Sequence, residues 1–107
     1  MIKIRFMGSS LKDLKAFPET ARCEAGFELR EVQKGNQPRD WKPMSSIGVG
    51  VKEIRIKDER GIFRVVYVVQ YLERVIVLHA FQKKMQKTAK KDLDLAKKRL
   101  KLVLEEV

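Results

Sequence analysis

Apolar and polar positions alternate from the second residue: Ile2, Ile4 and Phe6 are interleaved with Lys3, Arg5 and Met7, and the pattern stops at Gly8. That is the period of a short half-buried strand. Ser9-Ser10 then offers a helix N-cap, with Ser10-x-x-Asp13 as a variant capping box. Leu11, Leu14 and Phe17 line one side of a brief helix. Pro18 is suited to open a second helix, where its missing N–H is not needed. Ala21, Ala25, Leu29 and Val32 are that helix's apolar stripe, with Glu24, Glu28 and Glu31 outside it, and Gly35 is its stop. A helical hairpin is predicted.

Residues 35–50 lose all periodicity and carry Gly35, Pro38, Pro43, Gly48 and Gly50. They read as an ordered loop pinned to the core by Trp41 and Met44. Period-two alternation then returns, with Ile54 and Ile56 on one face and Glu53, Arg55 and Lys57 on the other. Asp58 to Gly61 turns the chain into a strand over Phe63–Gln70. Tyr71–Arg74 turns it again into a strand over Val75–Gln82, so the short connections imply an antiparallel meander. Thr88 can cap a last helix reaching to about Glu106, with Leu93, Ala96, Leu100, Val103 and Val107 recurring on one side and lysines around them. The expected class is α+β in the order β-α-α-β-β-β-α, with the hairpin on a twisted, mainly antiparallel sheet and a C-terminal helix.

With 107 residues the chain is one expected domain, 1–107. Lys and Arg number 24 against 14 Asp and Glu, a net charge of +10. Such a surplus draws anionic partners, nucleic acid above all. Cys23 is the single cysteine, which excludes an internal disulfide and suits a reducing compartment. With one histidine besides, no zinc set can form, and neither metal nor cofactor is expected. No run is long enough to span a bilayer, and the N-terminus lacks a signal-peptide core. The expected localisation is cytoplasmic.

Three segments carry a resemblance: KPMSSIGVGVKEIRI (Lys42 to Ile56), FRVVYVV (Phe63 to Val69) and VLHAFQKKMQKT (Val77 to Thr88). In this order they resemble the RelE/ParE superfamily of toxins, and most of all the phage-related HigB-like branch of type II toxin–antitoxin systems. The likeness runs over nearly the whole chain, and HxFxKKxQKT entering a Lys-rich helix is its most specific part. It implies a small RelE-like fold and a ribosome-dependent mRNA endoribonuclease that inhibits translation. The implied chemistry is metal-independent attack of a ribose 2′-OH on the adjacent phosphate. The implied partners are mRNA, the ribosome and a cognate antitoxin, a helix-turn-helix protein, in a toxin–antitoxin hetero-oligomer.

The resemblance assigns catalysis to Arg64, Arg55, Lys83 and Lys84. It assigns RNA binding to Lys57, His79, Phe81, Gln82, Gln86 and Lys87. An arginine fork can clamp a phosphate through two N–H groups. Crowding among Lys83, Lys84 and Lys87 is expected to lower their pKa values and fit one of them for proton transfer. Two departures stand out: Glu53 where some relatives carry a second basic residue, and no tyrosine after Val75.

Each of these residues also has a plainer explanation. The C-terminal lysines can be the solvated face of an amphipathic helix. His79 and Phe81 share strand parity with Val77 and can be packed core, and Trp41 reads as structural. Arg55 can pair with Glu53 or Asp58. Arg64 must leave its apolar run into a pocket or find an internal partner. Cys23 reads as a small buried hydrophobe. The alternatives in function are a ParE-like gyrase-inhibiting toxin without chemistry of its own, or a phage-derived nucleic-acid-binding protein that does not cut.

Overall fold

The N-terminal alternation folds as β1 (Lys3–Phe6), which pairs in parallel with the last strand, from Lys3 opposite Arg74 to Phe6 opposite Val77. The computed structural model describes residues 1–70 and 73–106. The predicted Tyr71–Arg74 turn therefore lies partly outside the described residues, and so does Val107. The elements after β1 are α1 (Ser10–Lys15), α2 (Glu19–Gln33), β2 (Trp41–Pro43), β3 (Lys52–Asp58), β4 (Gly61–Gln70), β5 (Arg74–Lys83) and α3 (Lys90–Glu105). The described strands form one sheet in the order β1-β5-β4-β3-β2, in which β2 to β5 run antiparallel.

The expected order gains one element. Trp41–Pro43 pairs with Ile54–Lys52 as a short edge strand, although three residues between prolines and glycines carry no readable period. Trp41 is half-buried there, with the Lys52 ammonium 4.8 Å above its ring. Met44 is buried as anticipated.

The α2 stripe is buried as read, and the helix ends in a Schellman arrangement around Gly35 (φ 93°), with Asn36 N–H bonded to the Glu31 carbonyl and Gly35 N–H to that of Val32. Glu28, expected outside the stripe, is buried because its carboxylate accepts from the Arg39 backbone N–H at 2.6 Å. The Ser10 capping box is not made. Ser9 is the N-cap, its hydroxyl donating to Asp13 at 2.7 Å, while the buried Ser10 hydroxyl donates to the Val77 carbonyl. Cys23 is exposed rather than buried, beside the exposed Phe27 on the outer face of α2.

Two apolar layers sandwich the sheet. Leu14, Phe17, Ala21, Ala25, Leu29 and Val32 pack against Ile54, Ile56, Phe63, Val65, Tyr67, Val75 and Val77. On the opposite face, Ala96, Leu100 and Val103 of α3 pack with Met44, Ile47 and Val51 against Val66, Ile76 and Leu78. The C-terminal helix thus covers the face that the hairpin leaves open. Its N-cap is Ala89, not Thr88, whose hydroxyl is used elsewhere. Among the described residues no helix is long and apolar enough to cross a membrane.

A bulge in β5 changes the parity of the last strand. Val66 pairs with His79 but Tyr67 with Val77, so Leu78 is the extra residue. Beyond it, His79 and Phe81 face α3, whereas Val77 faces the hairpin. The parity shared by Val77, His79 and Phe81 in the sequence is broken at this point.

Candidate nucleic-acid interface

The face of the sheet that carries α3 is covered only in part, and the rows of residues beyond the helix's N-terminus are set by the strand register. Lys42 lies opposite Glu53, which lies opposite Val66, which lies opposite His79. In the next row, Arg55 faces Arg64, and Arg64 faces Phe81. In the third, Lys57 faces Ile62, and Ile62 faces Lys83. One face therefore brings together Arg55, Arg64, Lys57 and Lys83 from the sequence expectations, and adds Lys42, which no period in the loop had exposed.

Two arginines as direct cross-strand partners are unfavourable by themselves. Glu53 offsets this from beneath. It is fully buried, and its Oε1 lies 3.1 Å from Arg64 Nε. The N–H is not aligned on that oxygen, so the contact is an ion pair rather than a hydrogen bond. Arg64 Nη1 donates to the Phe63 carbonyl at 3.2 Å. Arg55 is exposed and turns to Asp40, 4.0 Å away, rather than to Glu53 or Asp58. Glu53 thus lies in the first of the three rows, between Lys42 and Val66, with its carboxylate turned against Arg64 of the second.

Burial pulls the Arg64 guanidinium below its ordinary pKa and Arg55 adds to this, while Glu53 and Asp40 oppose it. The Lys83 ammonium is also shifted down, first by burial and then by Arg64, with Lys42 and Arg55 contributing and Glu53 opposing. Burial thus comes first at Lys83, and the cations that add to it sit on β4, β3 and β2. Lys84 and Lys87, expected to be the cause, extend into solvent with Gln86 on the segment after β5.

His79 is buried at 5% exposure, stacked on Phe81 with ring centroids 4.8 Å apart, and its Nε2 is hydrogen-bonded to Asp92 at 2.8 Å. Its packing reading is the one the geometry matches. Phe81 remains partly open and, with Lys83, Lys84, Met85, Lys87 and Asp92, lines a pocket of about 220 Å³ at the N-terminus of α3. Gln82 belongs to the other register, opposite Phe63, and its amide donates to the Arg60 carbonyl.

The sequence reading missed the Glu53–Arg64 pair as an organising element, and also Lys42, Thr88 and Asp92. The first was recoverable from the strand parity of Glu53 and Arg55 combined with the short turn into β4, which puts Arg64 on the same face. Among the described residues no three His, Cys, Asp or Glu side chains gather into a metal-binding group. Arg64 is itself buried, with Nε against Glu53 and Nη1 on the Phe63 carbonyl, while Arg55 is exposed and Lys83 half-buried on the same face of the sheet.

The family model described as phage-derived protein Gp49-like matches residues 12–101. Among solved structures, an arginine-to-alanine double mutant of the E. coli toxin RelE in the free state superimposes with a TM-score of 0.65 at 16% identity, covering 95% of this chain and 97% of that one. The intact E. coli RelBE toxin–antitoxin complex gives a TM-score of 0.53 at 21% identity, over 79% of this chain and 100% of that one. The RelBE2 toxin–antitoxin complex of Mycobacterium tuberculosis gives 0.50 at 20% identity, over 77% and 98%. No curated protein matches the sequence. At these identities the likeness is one of fold.

Proposed function

Because this chain belongs to the phage-derived Gp49-like family and is built on the RelE fold, we propose that its open cationic face cleaves messenger RNA on the ribosome, as the toxin half of a type II toxin–antitoxin pair of the HigB-like kind. The observation that carries this reading is the opposition of Arg55 and Arg64 on adjacent inner strands, with Lys83 one row away. Like charges directly opposite each other are unfavourable in a sheet, and Glu53 and Asp40 offset only part of this, whereas a pentacoordinate phosphate needs such a cradle.

In the proposed reaction the 2′-hydroxyl gives up its proton to water, its oxygen attacks the adjacent phosphorus, and the bond from phosphorus to the 5′-oxygen breaks. A 2′,3′-cyclic phosphate and a 5′-hydroxyl result. Arg64 and Arg55 hold the non-bridging oxygens as charge builds on them. Lys83, whose lowered pKa makes it a better acid than an ordinary lysine, gives its proton to the departing 5′-oxygen. Lys84, Lys87 and Gln86 are placed to meet the flanking backbone, with Lys57 at the far end of the face and Phe81 beside a base. The ribosome supplies alignment of the message, which explains how so small a site suffices. Two of the similar structures are toxin–antitoxin complexes, and the proposed partner here is likewise an antitoxin, a helix-turn-helix protein carrying acidic segments that cover the basic face.

The test is a translating cell-free extract in which message 5′ ends are mapped by primer extension, with Arg64→Ala and Lys83→Ala/Lys84→Ala variants alongside. New ends that appear only during translation and vanish in the variants are expected. Intact message would overturn the reading, and gyrase inhibition would then be the activity to assay.

A further inference from the structure

A buried carboxylate is an odd occupant for the middle of a surface built to attract anions. Glu53 is fully buried, on the same face as Val51 and facing Val66 across the strand pair. Taking a carboxylate and a guanidinium out of water is costly, and apolar residues of similar volume often serve folding as well or better. Its two oxygens also go to different places. Oε1 lies against Arg64 Nε at 3.1 Å, and Oε2 accepts a hydrogen bond from the Thr88 hydroxyl at 3.2 Å.

Thr88 ends the segment 84–88, which connects β5 to α3 and presents Lys84, Met85, Gln86 and Lys87 to solvent. Among the described contacts, the bond from Thr88 to Glu53 is the side-chain hydrogen bond that ties this segment to the sheet. One carboxylate thus fixes both halves of the face, the arginine from β4 and the lysine-bearing segment after β5.

We propose that Glu53 is a positioning residue, holding the Arg64 fork at the centre of the cationic face with one oxygen and strapping the 84–88 segment beside it with the other. It does not reach solvent and touches no substrate; it acts through Arg64 and Thr88. This rests on the reading of that face as a phosphate site. Its negative charge also supports the protonated state of Lys83, which Arg64, Lys42 and Arg55 oppose.

Two variants separate the two oxygens. Glu53→Gln keeps an acceptor for Thr88 but removes the charge facing Arg64, whereas Thr88→Val cuts the strap and leaves the ion pair. Cleavage in the translating extract is expected to fall at least tenfold in Glu53→Gln, with the alkaline limb of its pH profile moved to lower pH as Lys83 loses its counter-charge. In Thr88→Val cleavage falls several-fold with the pH profile unmoved. Amide exchange measured by NMR should quicken across 84–88 in Thr88→Val, and the Arg64 Nε–H resonance should shift in Glu53→Gln alone. Wild-type rates and pH profiles in both variants would overturn the proposal. If the wild-type protein does not cleave, the functional reading fails by itself, and the NMR arm still decides: an unmoved Arg64 resonance and unchanged exchange over 84–88 would sink the positioning role.

Discussion

The imidazole of His79 on β5 is hydrogen-bonded through Nε2 to the carboxylate of Asp92 on α3, at 2.8 Å. This bond ties the first turn of the C-terminal helix to the strand that ends in Lys83. The ring is buried, and its Nδ1 has no partner among the described residues. Asp92→Ala would leave both ring nitrogens without a protein partner and is expected to cost about 1–3 kcal/mol. His79→Phe, which removes the polar ring instead of orphaning it, should cost less. Urea denaturation of both variants checks the order.

The Glu53–Arg64 pair makes stability and activity separable. Arg64→Ala leaves a carboxylate buried without its counter-ion, at an expected cost of about 3–5 kcal/mol. The double replacement Glu53→Leu/Arg64→Met fills the same space with apolar groups and should recover most of that loss. Cleavage should be absent from both. Denaturant midpoints combined with the primer-extension assay test this, and a double variant that is folded and still cuts would remove Arg64 from the site.

Gly8 has φ of 52°, and a Cβ there would lie 2.8 Å from the Arg99 guanidinium. Arg99, nearly buried on α3, donates to the Leu78 carbonyl at 2.9 Å and to the Ser9 hydroxyl at 3.0 Å, so it locks the helix to the bulge and to the turn after β1. Gly8→Ala must both strain the backbone and displace this arginine. A loss of about 1–3 kcal/mol is expected, measurable as a lower thermal midpoint, whereas Gly26→Ala, where nothing stands within 4 Å, should be neutral or mildly stabilising.

Tyr67 is buried on β4, and its hydroxyl pKa is pushed up to about 12 by burial, with Glu28 adding to the shift. A pKa higher in the folded than in the unfolded chain means that the folded state holds the proton longer. The stabilisation is therefore complete below about pH 10 and is lost as pH rises from about 10 to about 12. Tyr67→Phe is expected to flatten this alkaline decline, read as unfolding free energy against pH.

Local patterns carried most of the elements, and long-range geometry decided the rest. The stripes of α2 and α3 and the alternation of β3 repeat one face over several turns or pleats, so their burial was readable. The bulge at Leu78 was not, because one inserted residue leaves no mark in an apolar run and yet moves His79 from the Val77 face to the α3 face. The three-residue β2 is too short for any period. That Ser10 turns inward to Val77 and Thr88 inward to Glu53 depended on partners 67 and 35 residues away. The same holds for the candidate site: Arg64 was visible as a charge in an apolar run, and Arg55 and Lys83 through the resemblance, but Glu53 and Lys42 acquired their places only once the sheet order brought them together.

Salt dependence distinguishes a built phosphate site from a merely basic protein. The net charge of +10 will attract RNA wherever it is spread. The geometry, however, concentrates Lys42, Arg55, Arg64 and Lys83 on one face and leaves Lys97 and Lys98 exposed on α3. If binding is focused, contact of these side chains with about four phosphates gives a slope of log K against log salt of about −3 for single-stranded RNA. Lys42→Ala should then make the slope shallower by about 0.7, the share of one phosphate. Lys97→Ala/Lys98→Ala should leave it unchanged, although it removes twice the charge. Fluorescence anisotropy of a 2′-O-methyl oligoribonucleotide, which binds without being cut, measures all three slopes. Equal loss from either set of lysines would mean that the charge acts diffusely and that the sheet face is no site.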